Sequence, residues 1–307
     1  RTPTSYEQAQ TTLQQALAID PNYAAAWDEL GAVYTSQLNI GLRPAAEGWA
    51  LAREAINKAM AIDPDYALAY ASLGFIELSY DKDLTAAARY YEHALQLEPA
   101  NPTILRNAAN LLASLGRLDE ALALTEYVVA RDPVNAAGHA NQGLYYTATK
   151  RWDDAIASFR TALTLSPGYA GGQYGIGMVQ LLKGESQAAL EAMLLEESIW
   201  GMIGLPMAYD ALGRKEESDA ALATLIEKLE QGAAYNIAYV LAYRGEADRA
   251  FEWLDKAVEY QDGGLSEILG EPLFANLFED PRWPLFLESI GWSPEQVAGI
   301  EFKVTLP

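Results

Sequence analysis

The sequence predicts an all-α protein built from repeated pairs of helices. Prolines recur along the chain, and small and aromatic residues recur at helical spacing between them. The prolines stand 43, 35, 34 and 34 residues apart, at Pro21, Pro64, Pro99, Pro133 and Pro167. Because proline disfavours helix in the residue before it and is tolerated in a first helical turn, each is expected to end one helix and open the next.

Each interval between prolines is predicted to hold two amphipathic helices, called here the first and the second helix of a pair. In the interval before Pro167, Gly143 falls on the first helix, and Ala155 and Phe159 fall on the second. The two small residues are expected to let the helices approach closely, with Phe159 filling the space beside them. Asp153, in the turn between them, is predicted to cap the second helix.

These residues resemble the tetratricopeptide repeat, a helix-turn-helix unit of 34 residues. The first-helix signature is present in full as Trp27, Leu30, Gly31 and Tyr34. The second-helix signature occurs twice, as Ala87, Tyr91, Ala94 and Pro99 and as Ala155, Phe159, Ala162 and Pro167. The resemblance implies a right-handed superhelical solenoid of about seven helix pairs, with a C-terminal helical cap.

The chain is expected to divide into a solenoid over residues 1–264 and a cap and tail over residues 265–307. The solenoid is expected to have a partial first unit, then units that start near Ala24, Ala67, Pro102, Ala136, Ala170, Ile199 and Gln231. The tail lacks the repeat but is rich in apolar residues that are predicted to cover the last pair: Leu273, Phe274, Leu277, Phe278, Leu285, Phe286 and Ile290. The long first interval is expected to contain an extended loop around Gly41, Pro44 and Gly48.

Composition disfavours several classes of partner and site. The 42 acidic and 21 basic residues give a formal net charge of −21, which repels nucleic acid phosphates and anionic lipid, although solubility alone also accounts for it. The chain has no cysteine, and no apolar run approaches the roughly 20 residues needed to span a bilayer. We therefore expect no nucleic acid binding and no membrane insertion by this segment.

The sequence predicts no enzyme, no cofactor and no metal site. Its two histidines are far apart, and His139 falls at a first-helix packing position, where a core role is expected. Gly171, Gly172, Gly175 and Gly177 do not follow a strand, as a dinucleotide-binding loop would require. Gly177 is instead expected to be the packing glycine of its pair.

A solenoid of this kind predicts a protein–protein interaction module that binds a peptide or protein segment in a concave groove lined by first helices. Arg106, Asn107, Asn110 and Asn141 resemble part of the carboxylate clamp of chaperone-binding members of the family. The later groove is expected to present Tyr174, Trp200, Tyr235, Asn236 and Tyr239. Arg106 could instead merely offset local acidic charge. A ligand-sensing arm of a cyclase-type protein or transcription regulator, and a homodimerisation module, are left open as alternatives.

The C-terminal part also resembles the repeat region of bacterial multidomain signalling and regulatory proteins. This resemblance implies that the chain, which begins at Arg1, is the regulatory or scaffolding part of a larger bacterial protein. Its localisation is left open between the cytoplasm and the periplasm.

Overall fold

The computed structural model describes residues 3–39 and 42–306, and every regular element among them is helical. The helices before the last repeat are α1 (Pro3–Ile19), α2 (Ala24–Asn39), α3 (Ala45–Ile62), α4 (Ala67–Ile76), α5 (Leu84–Leu97), α6 (Pro102–Ser114), α7 (Leu118–Arg131), α8 (Ala136–Ala148), α9 (Trp152–Leu165), α10 (Gly172–Leu182), α11 (Ser186–Leu194), α12 (Ile199–Ala211) and α13 (Lys215–Leu229). The C-terminal region holds α14 (Ala234–Tyr243), α15 (Ala247–Glu259), α16 (Arg282–Ser289) and α17 (Pro294–Ala298). The all-α prediction is confirmed.

The chain forms two compact units. Unit 1 comprises Arg1–Leu111 together with Gly299–Pro307, and unit 2 comprises Leu112–Ala298. Within each unit, a first helix packs against the second helix that follows it, as α2 does with α3 and α14 with α15. The proposed division into an array and a cap stays a prediction.

Small residues set the close approach of paired helices. A Cβ atom on Gly143 would lie 2.8 Å from Cζ of Phe159, and one on Gly31 would lie 2.8 Å from Cγ1 of Ile56. Ala155 is fully buried beside them. The expected packing of Gly143, Ala155 and Phe159 is therefore confirmed. Gly177 has the same role, since its Cβ would lie 2.8 Å from Cε of Met193.

One hydrogen bond recurs between a first helix and the proline before it. Trp27 Nε1 donates to the carbonyl of Pro21 at 2.9 Å, and Tyr70 Oη donates to that of Pro64 at 2.9 Å. His139 Nε2 lies 3.0 Å from the Pro133 carbonyl oxygen. In each case a polar atom on a large ring satisfies a carbonyl that the proline turn leaves outside the helix, and His139 is thereby given a structural role.

Two local expectations are wrong. Asp153 is not a cap: α9 starts at Trp152 and Arg151 takes the N-cap position, so the Asp153 side chain lies inside the first turn. Gly48 is not in a loop either, because it lies in α3, where its Cβ would meet Leu38. The long interval is taken up mostly by longer helices, of 16 residues in α2 and 18 in α3. Pro44 is the N-cap of α3, and Gly41 lies outside the described residues.

After α15 the chain adopts short 3-10 helices, Gly263–Glu267 and Pro272–Leu277, which contact α14. Of the residues expected to cover the last pair, Leu273, Phe274, Leu277 and Phe286 are buried. Phe278 and Leu285 are 49% and 65% exposed, so they are not part of that cover. They point away because the 3-10 turn and α16 present only one side to the core.

Candidate functional site

The first helices of unit 2 form one continuous face, because α10 contacts α12 and α12 contacts α14. Four aromatic side chains lie on it: Tyr174 of α10, Trp200 of α12, and Tyr235 and Tyr239 of α14. The ring centroids of Tyr174 and Trp200 are 5.2 Å apart, and those of Tyr235 and Tyr239 are 5.7 Å apart. We call these four residues the tyrosine cluster.

Hydroxyl groups join α10 to α14 at the centre of the cluster. Tyr174 Oη and Tyr239 Oη are 2.8 Å apart, and Asn236 Nδ2 donates to Tyr239 Oη at 2.8 Å. Burial raises the pKa of Tyr174 and of Tyr239, so both hydroxyls remain protonated at neutral pH. Since the pair shares one hydrogen bond, one of its two hydroxyl protons has no acceptor within the part of the chain that the structure describes.

Tyr235 adds a second buried hydroxyl that has no hydrogen-bond acceptor among the described residues. Its Oη is buried and has no hydrogen-bond partner among the described residues, and burial raises its pKa well above the ordinary value. Buried hydroxyls are normally paired, so an unpaired one marks a place where a ligand or a rearranged chain would find a donor.

Residues 262–283 lie across the α14 side of the tyrosine cluster, over Tyr235 and Tyr239, and we call them the covering segment. The ring centroid of Phe274 is 5.4 Å from that of Tyr235 and 6.1 Å from that of Tyr239. The segment is fixed at both ends of α14: Asp262 Oδ2 accepts from the Tyr235 amide at 3.0 Å, and Asn276 Nδ2 donates to the Ala242 carbonyl at 2.9 Å. As a result, Tyr235 and Tyr239 are each only 2% exposed.

The covering segment also places a carboxyl group, that of Glu271, near the tyrosines of the cluster. Burial, opposed by a hydrogen bond from the Leu273 amide and reinforced by the charge of Glu267, raises the pKa of Glu271 to about 8. Glu271 Oε1 accepts from that amide at 2.9 Å, as the N-cap of the 3-10 helix. Burial is the main cause of the raised pKa of Tyr174, Tyr235 and Tyr239, and the charge of Glu271 raises the pKa of each of them further.

In unit 1, the predicted site residues lie on α6. Arg106, Asn107 and Asn110 are half-buried. Arg106 forms no hydrogen bond or ion pair with any residue that the structure describes. A half-buried guanidinium in this state keeps all of its donors for a carboxylate.

The structure therefore brings together part of the predicted set. One face of unit 2 holds five of them: Tyr174, Trp200, Tyr235, Asn236 and Tyr239. Asn141 lies half-buried on α8. Sequence reasoning missed Glu271 and the role of Asp262. The signal available for Glu271 was its position directly before Pro272, where an acidic side chain is suited to cap a helix start.

Neither a metal site nor a bilayer-spanning element is found among the residues that the structure describes. No three His, Asp or Glu side chains there are grouped to hold a metal ion. No helix over residues 3–39 and 42–306 combines the length and the apolar character that crossing a bilayer requires.

Comparison with known proteins identifies the family of the repeat. A family model described as tetratricopeptide repeat matches residues 75–136, 106–170 and 141–198. The chain contains tetratricopeptide repeats. Tetratricopeptide repeat proteins generally mediate protein–protein interaction. No curated protein matches the sequence significantly.

Solved structures share the tetratricopeptide fold at low identity. PilW, a type IV pilus biogenesis factor, is 18% identical, with a TM-score of 0.56 over 71% of this chain and 98% of PilW. PilF of Pseudomonas aeruginosa is 18% identical, with a TM-score of 0.51 over 66% of this chain and 90% of PilF. Human IFIT1, solved as a dimer with m7Gppp-AAAA, is 16% identical, with a TM-score of 0.61 over 84% of this chain and 68% of IFIT1. At these identities the likeness shows the fold alone.

Proposed function

We propose that the chain binds a peptide or protein segment on the faces of its first helices. The observation that supports this most directly is the place of Phe274. Before α16 begins, the covering segment forms only turns and 3-10 helices, and there it packs Phe274 against Tyr235 and Tyr239. It also satisfies helix-end groups at both ends of α14. A surface that accommodates such a segment from its own chain has the chemistry to accommodate one from a partner.

In unit 1, Arg106 is the residue that supports binding of a segment with an acidic group. It is half-buried on a first helix, without a partner among the described residues, in a chain whose formal net charge is −21. The guanidinium is suited to forked contact with an acidic side chain or a C-terminal carboxylate of the bound segment. Asn107, beside it in sequence, carries an amide that pairs well with a peptide backbone.

A capped RNA of the kind bound by IFIT1 is a less suitable ligand for this chain. Phosphate binding depends on clustered lysine and arginine, and here acidic residues outnumber basic ones 42 to 21. A peptide with an acidic group needs only one well-placed arginine.

The test uses a partner recovered by affinity capture on the chain and measured by calorimetric titration. Arg106→Ala is expected to weaken binding by about 1.5–3 kcal/mol, the scale of hydrogen bonds to charged groups. The matched control is Arg89→Ala, because Arg89 is an exposed arginine in α5 of the same unit. Both changes are expected to alter the free energy of unfolding by less than about 0.5 kcal/mol. Equal binding by the two variants would remove Arg106 from the proposed surface.

A further inference from the structure

The apolar residues of the covering segment pack closely on the surface below it. Leu273, Phe274 and Leu277 are each no more than 2% exposed, and the Phe274 ring also packs on Trp283, with centroids 5.3 Å apart. Aromatic contacts of this kind stabilise beyond their area of burial. The apolar part of the segment thus matches the surface below it.

The polar part of the segment matches the surface poorly. Glu271 is half-buried and near enough to three protonated tyrosines for its charge to raise their pKa, yet it accepts a hydrogen bond from the Leu273 amide of its own segment. Burying a carboxylate without a countercharge is costly, and the high pKa of Glu271 reflects that cost. Glu267, four residues earlier, adds a like charge.

The surface below the segment also keeps unused donors. The Tyr235 hydroxyl has no partner among the described residues, and the Tyr174–Tyr239 pair has one proton to spare. A segment that placed a carbonyl or amide oxygen at these hydroxyls would gain hydrogen bonds that the covering segment does not make.

We propose that the covering segment is a built-in competitor for the tyrosine cluster, displaced by a partner segment that keeps the aromatic side chain of Phe274 but has a neutral side chain in place of Glu271. This inference rests on the proposed function and specifies its partner. The partner segment retains the shape of "PLFANL" and has an amide in place of the half-buried Glu271 carboxyl.

Two neighbouring glycines provide a matched way to loosen the segment. A Cβ atom on Gly264 would lie 2.4 Å from Cδ1 of Tyr235 and 2.7 Å from its Cγ, atoms at the rigid base of the ring. A Cβ atom on Gly263 would meet nothing within 4 Å. Gly264→Ala should therefore lift the covering segment from α14, whereas Gly263→Ala should leave it seated.

The experiment measures fluorescence anisotropy of a labelled peptide with the sequence of residues 267–279 and the changes Glu267→Gln and Glu271→Gln. At pH 7.5 we expect the Gly264→Ala chain to bind this peptide about tenfold more tightly than the unmodified chain and the Gly263→Ala chain, since its competitor is displaced. The unsubstituted peptide should bind the Gly264→Ala chain about tenfold more weakly than the amide peptide, because it brings the carboxylates back. Equal affinity of all three chains, or of both peptides, would overturn the proposal.

A second measurement applies even where Gly264→Ala does not fold. In the unmodified chain, amides of residues 263–277 should exchange with deuterium at least tenfold faster than those of α14, because a displaceable segment opens by itself. Exchange of both at one common rate would show that the segment is an inseparable part of the core, and the proposal would fail. Binding that depends on Arg106 would be untouched by that result, so the two proposals fail separately.

Self-association is a third outcome. If Gly264→Ala forms dimers whose fraction rises with concentration in light scattering, and shows no gain in peptide binding, the vacated surface belongs to the covering segment of a second copy. That result would overturn the proposal that a partner segment displaces the covering segment.

Discussion

Two first helices, α6 and α14, hold side chains at matching places in the repeat but expose them differently. Arg106 and Asn110 of α6 are half-buried, whereas Tyr235 and Tyr239 of α14 are almost completely buried beneath the covering segment. The comparison shows that a position in the repeat determines which face a residue shares with its neighbours. Whether that face is open depends on non-repeated chain elsewhere in the sequence.

The largest expected effect comes from removing the main anchor of the covering segment. Phe274 is fully buried among Tyr235, Tyr239 and Trp283. Phe274→Ala is expected to lower the free energy of unfolding by about 3–5 kcal/mol, the usual range for a buried Phe replaced by Ala. Urea unfolding followed by circular dichroism measures this.

Phe278→Ala is the control, since Phe278 belongs to the same segment but is 49% exposed. Its loss should cost less than about 1 kcal/mol. If the two variants unfold at the same urea concentration, Phe274 does not hold the segment on α14, and the contrast between α14 and α6 disappears.

A smaller effect is expected from pH, through Glu271. Its pKa is raised by burial to about 8, so its contribution to stability is fully present below its unfolded pKa near 4.5 and is lost as the pH rises through 8. Because the carboxyl is partly exposed, we expect a loss of about 2 kcal/mol between pH 5 and pH 9, less than the full shift implies. The groups that face it are Glu267 of its own segment and Tyr174, Tyr235 and Tyr239 of the first helices.

Glu271→Gln should flatten that pH dependence, because the amide has no charge to lose but can still accept from the Leu273 amide. Melting temperatures at intervals between pH 5 and pH 9 measure it. A Glu271→Gln chain whose melting temperature falls as steeply as that of the unmodified chain would assign the effect to another group.

The smallest effect concerns Asp28 on α2, a buried carboxyl on a first helix of unit 1. Burial, opposed by a hydrogen bond from Ser72 and reinforced by Glu29, raises the pKa of Asp28 to about 6. Its contribution to stability is present below its unfolded pKa near 3.8 and is lost as the pH rises through 6. The free energy of unfolding of Asp28→Asn is therefore expected to exceed that of the unmodified chain by about 1 kcal/mol at pH 7.5. Near pH 4 the two free energies should be equal.

A stability gain for Asp28→Asn that is equal at both pH values would mean that the effect comes from packing and not from charge. That outcome would also remove the similarity between Asp28 and Glu271, the carboxyls of the two units whose pKa is raised by burial. Thermal unfolding at pH 4 and pH 7.5 is sufficient to decide.

Much of the fold could be predicted from the sequence because local rules determine it. Proline placement and the Gly143–Phe159 contact depend on residues within one or two helices, and both are confirmed. Asp153 was misplaced because helix ends shift by one or two residues without changing any pattern. Gly48 was misplaced because glycine in a helix is unfavourable by itself, and only the Leu38 contact explains it.

The candidate site was less accessible to sequence reasoning for a physical reason. That Tyr174 and Tyr239 share a face follows from the repeat. That residues 262–283 cover Tyr239 depends on a turn without periodicity. Phe274 was expected to be buried at the end of the array, and it is buried, but against Tyr235 and Tyr239 on the face of α14. Binding by the predicted residues stays a prediction.

Glu196 gives unit 2 a link between successive pairs that affects how it folds. From the loop between α11 and α12, its Oε2 accepts from the amides of Gly171, Gln173 and Tyr174 at 3.1, 3.2 and 3.3 Å, at the start of α10. Those amides have no partner within their own helix, so α10 reaches its full stability only once the following turn is in place. In a chain of repeats with nearest-neighbour coupling, such a bond raises cooperativity. The two pairs that share Glu196 should therefore nucleate and melt as one kinetic unit.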